Sequence, residues 1–406
     1  MRSESFAIRA RAKETAFTRK RKLPLAHLTA FLLNAPRAGL QTELDAFFDH
    51  ALKQDEIHPP TKSAVCQARK LLRPEALRDL LGYSARCFTE QSDIPLWHGR
   101  RVVALDGTTL RVPDVPECVT YFGGMHTSCG KFRPLARASA LLDVARGAFV
   151  DATIDGYAQE ERSLAEAHLS KLNPDDLLVM DRGYPSRKLF QQLCDRKIAF
   201  CARINSSWSQ VRQFTENHQE DLQVDLGTSR HPLPLRLIRV DLPNGTSFEL
   251  VTNILDAAHT PNDFAGLYRS RWRIEEAFKL IKARLQVENW SGIMPYAVEQ
   301  DFYATLTRAN CAAALALAVR PEEACIHTPE ADKKGWRHRL NRTLVMKSLR
   351  HYLPRLLLDL NLSEILHRLI ERLRAPSAIE RTRPGRTAPR KKGVRIAGYH
   401  PAYKEA

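Results

Sequence analysis

The sequence predicts an α/β protein in which a sheet that begins antiparallel and continues parallel lies between helical N-terminal and C-terminal regions. Apolar residues recur at helical spacing over residues 23–95. From residue 101 short β runs appear and then alternate with helical runs, as in strands linked by crossover helices. Helical patterns return after residue 260. With 406 residues, the chain is long enough for two or three domains and a large core.

Residues 1–95 are expected to form a helical N-terminal, DNA-binding region. The apolar residues that recur at helical spacing are Leu25, Leu28, Phe31, Leu32, Leu40, Leu44, Phe47, Phe48 and Ala51. After Pro59-Pro60, Thr61 or Ser63 can cap a helix that runs to about Leu72. Its polar side carries Lys62, Gln67, Arg69 and Lys70. Such a helix can dock in a major groove, or it belongs to a bundle whose charges are only solvated.

Residues 96–320 are expected to form the catalytic domain. The predicted strands and helices are strand 101–105, a hairpin of 136–144 and 148–154, helix 161–172, strand 177–180, helix 186–196 and strand 199–203. Residues 205–253 contain further short β runs, at 235–240 and 248–252, which predict a β insertion in this domain. A long helix is expected from Pro261 past Glu288.

The C-terminal region is expected to be helical over residues 321–375, with a basic tail over 376–406. Helices are predicted at 296–319, 336–351 and 353–374. The tail holds cationic residues among Pro and Gly, so it should be flexible and lie along phosphates. These cations are Arg381, Arg383, Arg386, Arg390, Lys391, Lys392 and Arg395.

The charge balance indicates a polyanionic partner. The chain has 62 Lys and Arg against 46 Asp and Glu, a net charge of +16. Basic surface gains affinity by releasing counterions from phosphates, which favours nucleic acid. A soluble basic protein, or one that binds ribosomes or membrane surfaces, is the alternative.

The composition also indicates a cytoplasmic protein. The eight cysteines include no C-x-x-C pair, so reduced thiols are expected. Cys118, His126 and Cys129 could supply three zinc ligands, but no fourth lies nearby in the sequence. The N-terminus lacks the apolar core of a signal peptide, and the longest apolar stretch, Cys311–Val319, is too short to span a bilayer. No membrane partner is expected.

Two aspartates follow apolar strands and are candidate metal ligands. Asp106 is expected to end the first strand and Asp181 the buried strand 177–180. In α/β sheets, ligands bind outside the carboxyl ends of strands, and carboxylates there can bind hard cations. Each aspartate could instead be a turn or cap residue, since Asp-Gly is a common turn signal.

The helical segment 268–290 carries a third candidate. Tyr268, Arg271, Glu275 and Lys282 fall within roughly 60° of one helical face at about 100° per residue. In this arrangement Glu275 would hold a metal ion while the two cations grip flanking phosphates. The alternative is an exposed helix stabilised by Arg–Glu and Glu–Lys pairs at i,i+4.

The spacing Tyr-x2-Arg-x3-Glu-x6-Lys resembles the motif of DDE transposases from the IS-four group of bacterial insertion sequences. It matches at Tyr268, Arg271, Glu275 and Lys282. This four-residue motif is specific, and it assigns Glu275 to catalysis and the other three residues to DNA contact.

Other blocks resemble the same group. They are DGTT at Asp106, DRGY at Asp181, Arg203 after the next strand, and the segment HTSCGKFRPLARASALLDV that follows the first Asp. The resemblance covers most of residues 60–300. It implies an RNase H-like catalytic core with a β insertion between the second Asp and the Glu, and a DNA-contacting helical N-terminal region. The region after about residue 320 matches least clearly.

The predicted reaction is metal-dependent cleavage and strand transfer at insertion-sequence ends. Asp106, Asp181 and Glu275 would hold two Mg²⁺ ions, for which Mn²⁺ can substitute. One ion would activate water and later the DNA 3′-hydroxyl, and the other would stabilise the leaving oxygen. Arg271 and Lys282 would stabilise phosphate charge. The expected partner is double-stranded DNA, as terminal inverted repeats and as target, with a dimer forming in the DNA complex.

Several competing residues and functions remain open at this point. Glu276 lies about 100° around the helix from Glu275, off the motif face. Further acids are interpreted as turn, edge or hairpin residues and His126 as structural; the acids are Asp114, Asp143, Asp151 and Asp155.

The alternative functions are a nuclease of the same fold without strand transfer, an inactive domesticated DNA-binding protein, and a recombinase with Tyr268 as nucleophile. The last is disfavoured because the expected basic residues are absent around Tyr268.

Overall fold

A computed structural model describes most of the chain. The described residues are 3–18, 23–34, 39–51, 59–90, 94, 96–228, 231–242, 245–319, 336–358 and 361–382. The predicted basic tail beyond residue 382, and residues 320–335 at the start of the predicted C-terminal region, lie outside them.

A mixed nine-stranded sheet forms the centre of the described structure. Its strands are β1 (Arg101–Arg111), β2 (Gly124–His126), β3 (Phe132–Asp143), β4 (Ala148–Gly156), β5 (Asp176–Met180), β6 (Ala199–Ile204), β7 (Asp221–Asp225), β8 (Pro234–Asp241) and β9 (Ser247–Thr252). The order along the main path is β2-β3-β1-β5-β6-β9-β8-β7, and β4 pairs with β3. Strands β3, β4 and β1 are antiparallel neighbours, and β1, β5 and β6 are parallel. The predicted antiparallel start and parallel continuation are confirmed.

The predicted β insertion extends the same sheet. Strand β9 pairs antiparallel with β6, and β8 and β7 follow it outward. The 205–253 segment therefore lengthens the sheet beyond its parallel part, with one short helix between β6 and β7.

Helices cover both faces of the sheet. They are α1 (Glu4–Ala10), α2 (Leu25–Leu33), α3 (Leu40–Ala46), α4 (Lys62–Lys70), α5 (Pro74–Glu90), α6 (Pro116–Phe122), α7 (Glu161–His168), α8 (Arg187–Asp195), α9 (Ser209–Glu216), α10 (Pro261–Ser270), α11 (Trp272–Lys279), α12 (Pro295–Val319), α13 (Arg342–Leu358) and α14 (Leu362–Arg374). Short π-helical turns occupy Phe47–Ala51 and Leu280–Arg284. The period-2 alternation of side chains along each strand divides the apolar residues between two cores.

The larger core joins the N-terminal helices, one face of the sheet and the C-terminal helices. Val102 and Val179 of the sheet belong to the same buried cluster as Leu28 of α2, Phe302 of α12 and Leu369 of α14. The second core lies on the opposite face, where residues such as Val103 and Met180 pack against α8 and α9. Helix α12 is long and apolar enough to span a membrane by length and composition, yet 61% of its apolar window is buried within the protein, as in a core helix.

The C-terminal region differs from the prediction at two points. Arg337–Leu340 forms strand β10, which pairs antiparallel with β11 (Ile379–Thr382), instead of belonging to a helix or a flexible tail. In addition, α13 runs without a break from Arg342 to Leu358, whereas two helices were expected to meet between His351 and Leu353. Strands β10 and β11 form because two segments about 40 residues apart pair with each other, and local periodicity cannot predict such pairing.

Candidate active site

Asp106 lies in the middle of β1, one residue beyond the end of its pairing with β5. The parallel register ends where Leu105 faces Met180, while β1 continues antiparallel to β3 through Arg111. The expectation that Asp106 ends its strand is therefore wrong, because β3 provides a partner for the residues that follow. Asp181 comes directly after Met180. The two aspartates thus stand at the same level of neighbouring parallel strands.

Backbone donors hold both carboxylates at the level where the pairing of β1 with β5 ends. The Gly107 N–H donates to Asp106 Oδ1 at 2.8 Å, and the Arg182 N–H donates to Asp181 Oδ1 at 2.7 Å. These bonds leave the second oxygen of each carboxylate available for a further partner.

A helical segment passes beside the two aspartates. It begins with a capping box in which Thr260 and Asp263 satisfy each other's backbone N–H groups. The helix is divided at Arg271, between α10 and α11, although this residue keeps right-handed helical dihedral angles, and it then widens into the π turn Leu280–Arg284. The predicted single helix is therefore interrupted, and it ends before residue 288.

This segment brings three motif residues to the aspartates. Tyr268 Oη donates to Asp181 Oδ1 at 3.1 Å. Arg271 Nη2 donates to Glu275 Oε1 at 2.9 Å, and its Nη1 lies 3.6 Å from Asp106 Oδ2. The Arg271 guanidinium thus bridges the carboxylates of Glu275 and Asp106. The Tyr268 hydroxyl connects the helical segment to the Asp181 carboxylate. The helical face that was predicted to carry Tyr268, Arg271 and Glu275 is the face that lies against Asp106 and Asp181.

Lys282 and Glu276 lie where the helix-face argument put them. Lys282 Nζ donates to the Thr109 carbonyl oxygen at 2.7 Å, three residues past Asp106 on β1. Glu276 is exposed. Arg203 of β6 is also near, because its guanidinium lies 5.0 Å from the centre of the Phe248 ring, which packs 5.5 Å from the Tyr268 ring.

Burial and mutual repulsion raise the pKa of Asp106 to about 6. Desolvation is the largest cause, and the charges of Glu275 and Asp181 add to it. The Gly107 hydrogen bond and the Arg271 charge act in the opposite direction. Glu275 and Asp181 therefore lie close enough to disfavour the charge of Asp106, with the buried Arg271 among them.

The chemistry of this donor set suits a divalent cation. Among the residues that the structure describes, no three His, Cys, Asp or Glu side chains stand ready as a metal-ligand group. The guanidinium of Arg271 contacts both the Asp106 and the Glu275 carboxylates, so a cation bound there would replace these contacts. Carboxylate oxygens are the ligands that Mg²⁺ and Mn²⁺ prefer, and a cation relieves the repulsion that raises the Asp106 pKa. The residues fit a metal site if Arg271 moves aside.

Glu161, and Tyr184 at the end of the DRGY block, were given no role from the sequence, yet both lie beside the aspartates. A Cβ added at Gly107 would stand 3.4 Å from Tyr184 Oη and 3.5 Å from Glu161 Cδ. Burial, and then the charges of Asp106, Glu161 and Asp181, raise the pKa of the Tyr184 phenol. Glu161 begins α7, where an acid is a common first-turn residue, so nothing in the local pattern distinguishes it.

Other candidate residues have structural partners away from the site. Arg69, expected on the exposed polar side of its helix, is 2% exposed and pairs with Asp301 at 2.9 Å, so its placement on that side is wrong. Lys62, Gln67 and Lys70 of the same helix are exposed.

The alternative acids and zinc ligands also separate from the site. Asp143 pairs with Arg146 in the β3–β4 turn, as a hairpin residue should. Cys118 is buried and donates to a carbonyl oxygen, whereas His126 and Cys129 are exposed. They do not form a metal-ligand group within the described residues.

Comparison with known proteins relates this chain to transposases. The family described as "Transposase DDE domain" matches residues 97–311, just over half of the chain. The transposase InsG for insertion sequence element IS4 from Escherichia coli (strain K12) is 25% identical over 320 residues, which cover 73% of this chain and 70% of InsG. The transposase-related protein y4zB from Sinorhizobium fredii is 34% identical over 141 residues, covering 32% of this chain and 39% of y4zB.

Among solved structures, the cryo-EM structure of the piggyBac transposase synaptic complex with hairpin DNA covers 91% of this chain and 80% of its own, at 12% identity and a TM-score of 0.43. The family match spans β1 through most of α12, and so includes every residue described above for the candidate site.

Proposed function

As a member of the DDE transposase family, in its IS4 group, this chain is a DNA transposase that cleaves DNA and transfers strands, and we propose that Asp106, Asp181 and Glu275 are its catalytic carboxylates. The meeting of these acids around Arg271 and Tyr268 carries the proposal. Residues far apart in the sequence converge at the carboxyl end of the pairing between β1 and β5. All four positions of the Tyr-x2-Arg-x3-Glu-x6-Lys motif match.

The strand order supports an RNase H-like catalytic core. Reading from β4 through β3, β1, β5 and β6, three antiparallel strands are followed by two parallel ones. Both aspartates follow the paired part of adjacent parallel strands, at the edge where α/β proteins bind ligands. The helix that carries Glu275 follows the β insertion in the sequence and lies beside the two aspartates.

The three carboxylates would hold divalent metal, which the family's chemistry uses, and Mg²⁺ with Mn²⁺ as a substitute is the expected ion. When bound, the metal would activate the attacking oxygen and stabilise charge on the leaving oxygen. Arg271 would then give up its contacts with Asp106 and Glu275. Its guanidinium would be free to pair with phosphate oxygens, for which its planar fork is well suited.

Tyr268 and Lys282 would position DNA at the same edge. The Tyr268 phenol is engaged with Asp181, and burial raises its pKa, so it stays protonated and suits a donor role better than nucleophilic attack. Lys282 at the Thr109 carbonyl oxygen would bring a positive charge to a flanking phosphate. The substrate would be double-stranded DNA, as terminal inverted repeats and target, in the cytoplasm. A dimer would hold two ends together.

The experiment compares carboxylate variants on a DNA fragment that carries the element's ends. Asp106→Ala, Asp181→Ala and Glu275→Gln should each reduce cleavage by orders of magnitude while end binding and melting temperature stay near wild type. Excess chelator should stop the wild-type enzyme. Glu276→Gln is the matched control, because its exposed side chain lies off the site, and it should retain activity. Normal cleavage by Glu275→Gln, or by the wild type in chelator, would contradict the proposal.

A further inference from the structure

We propose that Glu161 and Tyr184 form the subsite that binds and orients the attacking hydroxyl group, a water in the first step and a DNA 3′-hydroxyl in strand transfer. This inference rests on the proposed function of the neighbouring carboxylates. It adds two residues that touch the reacting oxygen.

The first observation is where the two side chains lie. Glycines occupy the position after Asp106 and the second position after Asp181. A Cβ at Gly107 would meet both Tyr184 Oη and Glu161 Cδ at about 3.5 Å or less, and a Cβ at Gly183 would stand 4.0 Å from Glu161 Oε2. A fourth acid and a phenol therefore lie against the glycines that follow the two catalytic aspartates.

The second observation is that both groups have unused hydrogen-bonding capacity. Tyr184 is 1% exposed, and its hydroxyl has no partner among the described residues. Arg137 Nη1 donates to Glu161 Oε1 at 2.9 Å, whereas no described residue donates to Oε2, the oxygen near Gly183. A buried hydroxyl without a partner costs free energy, so a ligand that satisfies it would bind favourably.

The positions of the two groups are also fixed. Arg137 donates from Nε to the Tyr157 carbonyl oxygen at 3.3 Å and lies over the Tyr157 ring, which holds the guanidinium that binds Glu161. Glu161 gives the subsite its contact with solvent, because its side chain is 45% exposed while Tyr184 is buried.

The chemistry of the pair selects the ligand. A tyrosine hydroxyl is protonated at neutral pH, and that of Tyr184 is buried without a partner among the described residues, so it is available as a donor. The free oxygen of Glu161 is an acceptor. A phosphate oxygen only accepts and would be repelled by Glu161, and a cation would not use the Tyr184 donor. An R–OH group can accept from Tyr184 and donate to Glu161 together, which describes the attacking oxygen of both steps.

The test measures which nucleophile the enzyme uses. Full-length enzyme cleaves an end fragment under single-turnover conditions in water containing glycerol, and the products of hydrolysis and alcoholysis are separated. Tyr184→Phe and Glu161→Gln should each slow cleavage by roughly 100-fold, as for loss of one preorganised donor. Each should also change the alcoholysis-to-hydrolysis ratio several-fold, with end binding unchanged. If Glu161 and Tyr184 had only a structural role, the substitutions would slow hydrolysis and alcoholysis equally, and the ratio would stay at its wild-type value.

Two controls keep the outcome decisive. Glu166→Gln alters another acid of α7, paired with Lys188, and Tyr303→Phe alters another buried tyrosine, one packed in the larger core; both should keep the wild-type ratio. Tyr184→Phe should melt at or above the wild-type temperature, because it removes an unpaired buried hydroxyl.

The outcomes for this subsite and for the catalytic carboxylates are separable. A wild-type rate and ratio in both Glu161→Gln and Tyr184→Phe, beside inactive Asp106→Ala, would overturn this subsite alone. Should Tyr184→Phe fail to fold, the ratio in Glu161→Gln decides. Activity in Asp106→Ala would instead overturn the proposed catalytic centre.

Discussion

Arg271 is a buried cation within an acidic site, and this placement explains how the protein keeps three carboxylates together. Its guanidinium contacts Glu275 and Asp106, while Tyr268 hydrogen-bonds to Asp181. The arginine only partly offsets the repulsion and burial, because the Asp106 pKa still rises to about 6. The metal-free site is therefore electrostatically unfavourable at neutral pH, as expected for residues arranged to bind a cation rather than to stabilise the fold.

A pH-dependent stability effect follows for Asp106 in chelator. A carboxyl group whose pKa is raised on folding adds stability below its unfolded pKa and loses that stability as pH rises through about 6. Asp106→Asn should thus stabilise the metal-free protein at pH 8 by on the order of 2 kcal/mol, and by less at pH 4. Denaturant unfolding at both pH values measures the difference, and an equal effect at the two would contradict it.

The elements differ in how far the sequence predicted them. The β3–β4 hairpin, buried strand β5 and the face that joins Tyr268 to Glu275 follow from local periodicity and turn residues, and they were predicted. The full length of β1, the burial of Arg69 and the pairing of β10 with β11 depend on partners distant in the sequence. Tyr184 belongs to the DRGY block but was given no role, and Glu161 was not singled out, because both approach Asp106 only when α7 and the segment after β5 meet β1.

A buried polar network joins helix α5 and helix α7 to the sheet. Asp151 of β4 accepts from Arg78 of α5 through both oxygens, at 3.0 and 2.7 Å. His168 of α7 lies 2.8 Å from Asp151 and 3.1 Å from Ser139 Oγ. The Ser–His–Asp order resembles a hydrolase triad, but all three side chains are buried, so the network acts as a structural connection.

This network should make stability sensitive to acid. Burial alone would raise the pKa of Asp151, but the hydrogen bonds and charges of His168 and Arg78 outweigh it and lower the pKa to about 2. A depressed pKa gives stability that is present above the unfolded value near 3.8 and is lost as pH falls through about 2. Asp151→Asn should therefore lose about 2–3 kcal/mol at pH 7 and less near pH 2.

Circular dichroism in denaturant checks the Asp151 prediction. Asp155→Asn on the same strand is the control, because Asp155 is only partly buried and bonds to its own following N–H, and it should change stability little. Equal loss in the two variants at pH 7 would mean that the network is not what stabilises this junction.

At the scale of the whole molecule, the N-terminal helices are part of the same core as the catalytic sheet. Phe6, Leu28 and Leu77 belong to the buried cluster that contains Val102 and Phe302. Arg69 adds a buried ion pair from α4 to Asp301 of α12. Deleting residues 1–95 would therefore expose a large apolar surface, so point changes on the exposed side of α4 are the better probe of end recognition.

The exposed residues of α4 should have separate roles in DNA binding. Lys62 and Lys70 can neutralise phosphates, so the double variant to Ala should weaken end binding and lower the salt slope by about two, near 0.9 per contact. Gln67 can read an adenine edge, so Gln67→Ala should reduce preference for the specific end while leaving the salt slope unchanged.

The charge-matched control is the double variant to Ala at Lys171 and Arg196, which are exposed cations in the segments after α7 and α8. It should change the salt slope less than the α4 double variant does. Gel-shift titrations over a range of salt, on specific and scrambled ends, separate the two effects. If the α4 and control variants lose the same slope and Gln67→Ala keeps full preference, α4 contributes only general positive charge and end recognition lies elsewhere.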